Sequence, residues 1–201
     1  MRARRQGEPT TIERARRAQI VRAAIDTIAD IGYAGASFSA IARGAGLSST
    51  GIISYHFASK QHLMAEVMTT ILAEFTAFVS ARAGDGGPAA RLDAFLTANC
   101  EFIRDHRNHL VTMLRLQTAA PDTEARDRQA NADRAKLAEL LADGQRAGEF
   151  RDFDPDLMAG FILSLRNGVI LRAAADPGFD LTACTAELLT TLRLATASST
   201  A

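Results

Sequence analysis

The stretch with the most chemistry to offer is GLSSTGIISYHFASK, residues 46–60. Ser48, Ser49, Thr50, Ser54, Tyr55 and His56 gather around only two aliphatic residues, Ile52 and Ile53, and Lys60 closes the segment. A core helix would be more apolar, and a solvated helix would carry more Glu and Lys. Short hydroxyl side chains, an aromatic ring, an imidazole and bare backbone at Gly51 suit a rod that meets something flat, polar and negative. An α-helix fits the major groove of B-DNA, where such groups reach base edges.

Charge placement points the same way. Net charge is zero, but residues 1–60 hold nine Lys and Arg against four Asp and Glu, and the rest holds fourteen against nineteen. A basic front and an acidic back put polyanion contact in the first part only. The arginines at 2, 4, 5, 14, 16 and 17 add sequence-independent attraction or reach a neighbouring minor groove. Phosphates are to be held at helix starts by Ser37 and by Ser48 or Ser49, and by Lys60, with Ser39 a further DNA-binding residue.

The elements that position this segment are helical, and the fold class is all-α. Ala, Leu, Arg and acidic residues recur with a period near 3.6, and β-branched alternation never lasts. A first helix is expected from Ile12 to Ile31, with a stripe of Ile20, Ala24 and Ile28 widened by Val21 and Ile25. Thr10 or Thr11 caps it, and Gly32 stops it. Ser37 caps a short second helix whose inward residues are Phe38, Ile41, Ala42 and Ala45. Gly46 breaks it, and Ser48 or Ser49 caps a third helix ending near Phe57. With Ala42 at the crossing and Gly46 at the turn, this is a helix-turn-helix. Ile53 and Phe57 face inward, so Thr50, Gly51, Ser54, Tyr55 and His56 face out.

The block GYAGASFSAIARGAGLSSTGIISYHFASKQHL resembles the N-terminal domain of TetR-family transcriptional regulators. The likeness rests on Gly32-Tyr33, Ile41-Ala42, Ala45-Gly46, Tyr55-His56-Phe57 and Ser59-Lys60, and covers about residues 12–65. It implies an N-terminal three-helix DNA-binding domain and a larger helical domain for ligand binding and dimerisation. The segment Leu47–Phe57 is one residue longer than the family pattern, and the extra residue falls in Ser48-Ser49-Thr50. Ser54 stands where the family often has tyrosine, so the resemblance implies that this phosphate contact is either weakened or supplied by Tyr55.

Domain limits follow as 1–60 for DNA binding and 61–201 for ligand and dimer contacts. A long helix is expected over Lys60–Arg82, after a cap at Ser59, and GDGGP at 84–88 interrupts it. Further helices cover about 89–105, 108–118, 123–147, 154–174 and 181–197. A mixture of apolar bulk and isolated polar groups marks a candidate effector pocket. Its residues are Asn99, Cys100, Phe102 and Ile103, then Met113, Leu114 and Gln117, then Phe161, Ser164 and Asn167. Arg115 and Arg166 lie in apolar stretches, where salt bridging to nearby acids is the first reading and pairing with an acidic effector the second. Two stripes suit a four-helix dimer interface: Met158, Phe161, Ile162, Leu165 and Val169, and Leu181, Cys184, Leu188 and Leu192.

The chain therefore reads as a homodimeric regulator, expected to be a repressor that leaves double-stranded operator DNA when a small apolar effector binds. The alternatives are a DNA-binding dimer with no effector, or a helical ligand-binding protein whose DNA-binding domain is vestigial. No phosphate loop, nucleophile elbow or convincing carboxylate pair suggests an enzyme or a cofactor. His106 and His109 read as a solvated helix junction rather than a metal site. Cys100 and Cys184 read as reduced, buried thiols. No uninterrupted apolar run approaches a bilayer span, and the Arg-rich start lacks a secretory apolar block, so the expected location is cytoplasmic with no membrane partner.

Overall fold

A computed structural model describes residues 10–119 and 123–198. Among them the secondary structure is helical: α1 (Thr11–Gly35), α2 (Phe38–Gly44), α3 (Gly51–His56), α4 (Lys60–Ser80), α5 (Pro88–Asp105), α6 (Arg107–Ala119), α7 (Thr123–Arg146), α8 (Pro155–Ala175) and α9 (Leu181–Thr196). The β contact among the described residues is an isolated bridge between Phe150 and Ala197. The chain divides into two compact units, Met1–Ala73 with Val111–Ala119, and Glu74–Leu110 with Ala120–Ala201.

The helix ends follow from local chemistry. Thr10 accepts from the Glu13 amide while the Glu13 carboxylate accepts from the Thr10 amide, a reciprocal capping box. At Gly32, φ of +79° interrupts α1, and one further turn runs to Gly35. A side chain is strained at that angle, which is why glycine occupies it. Ser37 caps α2 through the Ala40 amide, and Asp154 caps α8 through two amides. The first unit's core is the expected α1 stripe closed by Ile41, Ile53, Phe57, Leu63, Val67 and Ile71.

α4 and α8, each 21 residues, are long and apolar enough to match a bilayer span. One face of each is already occupied by protein core, Leu63, Val67 and Ile71 in α4 and Ile162 and Val169 in α8.

In the second unit, α5, α7, α8 and α9 enclose Leu96, Leu141, Ile162, Leu188 and Leu192. This corrects the expected dimer stripes: Ile162, Val169, Leu188 and Leu192 belong to the unit's own core. Met158, Leu181 and Cys184 are half-buried against it. The residues that do face outward are Leu157, Phe161, Leu165 and Leu171 on α8 and Leu194 on α9. α8 is apolar nearly all round, so periodicity alone picks out a stripe without saying which side meets the core.

The end of α7 is closed by an unusually tight contact. The ring of Phe150 lies against the α-carbon of Gly144, whose carbonyl accepts from the amides of Glu149 (2.9 Å) and Phe150 (3.2 Å). A methyl group at residue 144 would occupy the space of the ring. Gly144→Ala is therefore expected to destabilise the protein by about 1–3 kcal/mol through overpacking. Thermal unfolding beside Gly160→Ala checks this. Gly160 has no neighbour near an added Cβ, so that variant should leave Tm nearly unchanged.

Candidate nucleic-acid interface

The surface built by α2, the turn and α3 is held in shape from behind. Gly46 takes φ of +64°, and Leu47 N–H then donates to Ala42 O at 2.8 Å. Gln19 on α1 donates to Ala45 O at 2.7 Å, so the first helix props the turn. Ile53 and Phe57 are fully buried, which fixes the rotation of α3 about its axis. Gly51, Ser54 and Tyr55 are consequently exposed, Tyr55 by 75%. His56 is half-buried, with its ring edge-on to Tyr55 at 5.1 Å.

Arg17 does not lie free for phosphate, contrary to expectation. Its guanidinium donates to His56 O at 3.0 Å, pairs with Glu66 at 2.8 Å and stacks over the Phe57 ring at 4.3 Å. It fastens α1 to the end of α3 and to α4. The same pairing holds the Glu66 carboxyl below its ordinary pKa. Arg16 donates to Gln19, Arg14 is exposed, and Arg2, Arg4 and Arg5 lie outside the described residues.

The other expected contacts sit as follows. Ser37 is exposed, but its hydroxyl is engaged with the Ala40 amide at 3.2 Å, and Ser39 is exposed beside it. Ser48, Ser49 and Thr50 are exposed, yet neither serine caps α3. The residue preceding the helix is Thr50, in helical conformation and with no side-chain capping bond. Ser48-Ser49-Thr50, where the extra residue of this segment falls, lies before the start of α3. Ser54 Oγ turns back to Thr50 O at 3.4 Å. Tyr55 donates its hydroxyl to Glu13 at 3.2 Å. Thr10's amide, its hydroxyl and then Tyr55 hold the Glu13 carboxyl below the usual range.

Lys60 also has a job within the protein. Its ammonium donates to Tyr33 O at 2.6 Å and sits 4.3 Å from the centre of the Tyr33 ring. Two N–H donors remain for a phosphate. Lys60→Ala is expected to lower operator affinity about tenfold, as for one lost charged contact, and to lower Tm by a few degrees because Tyr33 O loses its partner. Paired anisotropy and thermal melts check both effects. Arg43, exposed in the last turn of α2, is a cation that the motif reading passes over, although its place beside Ile41-Ala42 in the sequence is the available signal.

The candidate effector residues do not converge within the second unit. Asn99, Phe102 and Ile103 are buried, with Asn99 Nδ2 donating to Phe95 O at 2.7 Å. Phe161, Ser164 and Asn167 are exposed instead, on the outward side of α8, which corrects their assignment as pocket lining. Met113 and Gln117 are half-buried in the first unit, where Met113 packs against its core. A cavity of about 200 Å³ in the second unit is lined by Leu92, Asp93, Glu149, Phe150 and Arg193, none of them anticipated. A surface concavity of about 390 Å³ in the first unit is lined by Tyr33, Leu114, Arg115 and Thr118. His106 and His109 are not a solvated turn: both are half-buried on Phe102, and His109 Nε2 lies 2.9 Å from Glu74.

A family model for bacterial regulatory proteins of the tetR family matches residues 20–67, which contain this whole surface. A second model, for tetracyclin repressor-like C-terminal domains, matches residues 85–171. The HTH-type transcriptional regulator BetI of Vibrio vulnificus is 30% identical over 165 residues, 81% of this chain and 82% of that protein. The chain belongs to the TetR family. This TetR-family protein is a DNA-binding transcriptional regulator, and the exposed face of α3 is the outward side of its helix-turn-helix. Regulators of the family bind operator DNA and small-molecule effectors as dimers and are generally not enzymes.

Among other relatives, the BetI protein of Stenotrophomonas maltophilia is 39% identical over 90 residues, which span 44% of this chain and 45% of that one. A Saccharomonospora viridis protein described as a transcriptional regulator, solved in complex with choline, has the same fold. It superposes with a TM-score of 0.77 at 22% identity, over 92% of this chain and 98% of its own.

Proposed function

We propose that this TetR-family chain is a cytoplasmic, ligand-responsive repressor in which residues 1–60 bind operator DNA and residues 61–201 serve effector binding and dimerisation. The observation that carries the DNA-binding surface is the orientation of α3. Ile53 and Phe57 are completely buried, so Gly51, Ser54 and Tyr55 have nowhere to point but outward. Thr50, Gly51, Ser54, Tyr55 and His56 enter the major groove, and Ser37, Ser39, Ser48, Ser49 and Lys60 follow the phosphates on either side.

One α3 of six residues reads too few base pairs for useful specificity, so two copies act together on half-sites. The outward Leu157, Phe161 and Leu165 of α8, with Leu194 of α9, supply an apolar face for the second copy. A small, mostly apolar effector in the second unit would shift the spacing of the two recognition helices. About 1.4 kcal/mol of differential affinity between the two arrangements changes DNA occupancy tenfold, so a small shift suffices.

Fluorescence anisotropy on fragments of the neighbouring promoter tests the reading. Specific binding should weaken steeply with salt, because each phosphate contact releases counterions. No preferred fragment and a flat salt response would contradict it. Choline, the ligand of the Saccharomonospora viridis relative, belongs with apolar metabolites in the set tried for release.

A further inference from the structure

The hydroxyl protons on the outward side of α3 are spent within the protein. Ser54 Oγ donates to Thr50 O at 3.4 Å, and Tyr55 Oη donates to Glu13 Oε1 at 3.2 Å. Gly51, which shares that side, has no side chain to offer. What a duplex meets there is above all the ring of Tyr55, a residue 75% exposed.

The carboxylate that holds this ring is itself anchored. Glu13 Oε2 accepts from the Thr10 amide at 2.7 Å, and the Glu13 amide donates to Thr10 Oγ1 at 3.2 Å. One carboxylate thus joins the first turn of α1 to α3, 42 residues further along the chain. With its pKa lowered first of all by the Thr10 amide, it is ionised at neutral pH. The His56 ring adds a second support, meeting the Tyr55 ring at 84° with 5.1 Å between centroids.

A phenol that donates to a carboxylate has no proton left for a phosphate, and an ionised carboxylate beside it repels one. The hydroxyl end is drawn toward α1, so the contact left to Tyr55 is an apolar one through its ring. On the base edges of the major groove, the apolar group is the C5-methyl of thymine.

We propose that Tyr55 reads a thymine by packing its ring on the C5-methyl, and that Glu13 is the positioning residue that holds the ring there. The inference rests on the reading of α3 as the groove-facing helix and assigns a base to one of its residues.

The test uses the full chain and the promoter fragment it prefers, with related thymines of the two half-sites replaced pair by pair with deoxyuridine. Fluorescence anisotropy then gives the ratio of affinities with and without the methyl groups. At one pair the wild type should lose about fourfold per half-site, the value of one buried methyl, or about fifteenfold in all. Tyr55→Ala should bind both duplexes equally. Glu13→Ala and Tyr55→Phe should each lower the ratio at least threefold, and together no further, because they break the same bond. Glu13→Gln keeps the capping box and should lie between wild type and Glu13→Ala. The ratio cancels any general gain from removing a negative charge near phosphates, and a purely structural role for Glu13 would not move it. Should Glu13→Ala fail to fold, Tyr55→Phe, which removes only an exposed hydroxyl, carries the test alone.

Specific binding with no thymine pair that matters, or a Tyr55→Ala protein that discriminates as the wild type does, would overturn the proposal and leave α3 as the groove-facing helix. So would Tyr55→Phe weakening both duplexes equally while Glu13→Ala weakens neither, since the hydroxyl would then serve a phosphate. Absence of any preferred fragment would remove the DNA-binding reading and this inference with it.

Discussion

Replacing Phe57 by alanine is expected to lower stability by about 3–5 kcal/mol, with a fall in Tm on the order of 10 °C, and to abolish operator binding. Phe57 is fully buried, and it joins three things at once. Its ring fills the first unit's core, its amide closes the end of α3 on Ile53 O at 2.8 Å, and Arg17 stacks on its face. Without the ring, Arg17 loses its platform and the link from α1 to α3 and Glu66 weakens. Phe57→Leu keeps most of the volume and should cost less than half as much, so chemical denaturation of the pair separates packing from the loss of the aromatic face. Equal stability of Phe57→Ala and wild type would show that α3 is not seated as described.

The second large effect should appear with no change in stability. Ser54 is exposed on the outward side of α3, so Ser54→Glu disturbs no packing. It does place a carboxylate where base edges and phosphates must come. A like charge at such an interface costs several kcal/mol, and a dimer incurs the penalty twice. Operator affinity should fall by at least a hundredfold, about 2.7 kcal/mol, while the melting curve superposes on that of the wild type. Ser54→Ala should change affinity much less, because the serine hydroxyl is engaged with Thr50 O. A Ser54→Glu protein that binds operator normally would move the recognition surface elsewhere.

Much of this architecture is legible in the sequence, because the signals are local. Thr10, Ser37, Ser59 and Asp154 cap helices through amides two to three residues away, and Gly32 and Gly46 sit where positive φ is needed. The stripe Ile20, Ala24 and Ile28 reads directly as a buried face. What escapes sequence reading depends on partners far along the chain. Arg17 looks like one of several basic-arm residues, and only the fold brings Glu66 and Phe57 against it. Lys60 looks like a phosphate ligand and in the fold also holds Tyr33 O. Arg115 reads as half of a salt bridge, yet it donates to Ile28 O at 2.7 Å.

The misassigned stripe on α8 has a different cause. A helix that is apolar on both sides carries no internal record of which side the core will take, so Ile162 and Phe161 look alike in sequence although one is buried and the other 63% exposed. The start of α3 differs from expectation: serine is a good cap in general, while here Thr50 precedes the helix and makes no side-chain capping bond.

On the proposed reading, the outward side of α3 lies in the major groove of the operator. Dimethyl sulfate methylates guanine N7, an atom that faces that groove, so a protection footprint of the bound promoter interrogates it directly. Two patches of N7 protection, one or more helical turns apart and weakened at particular guanines by Tyr55→Ala, are predicted. A footprint that spares every guanine N7 within an otherwise protected site would show that α3 does not enter the major groove.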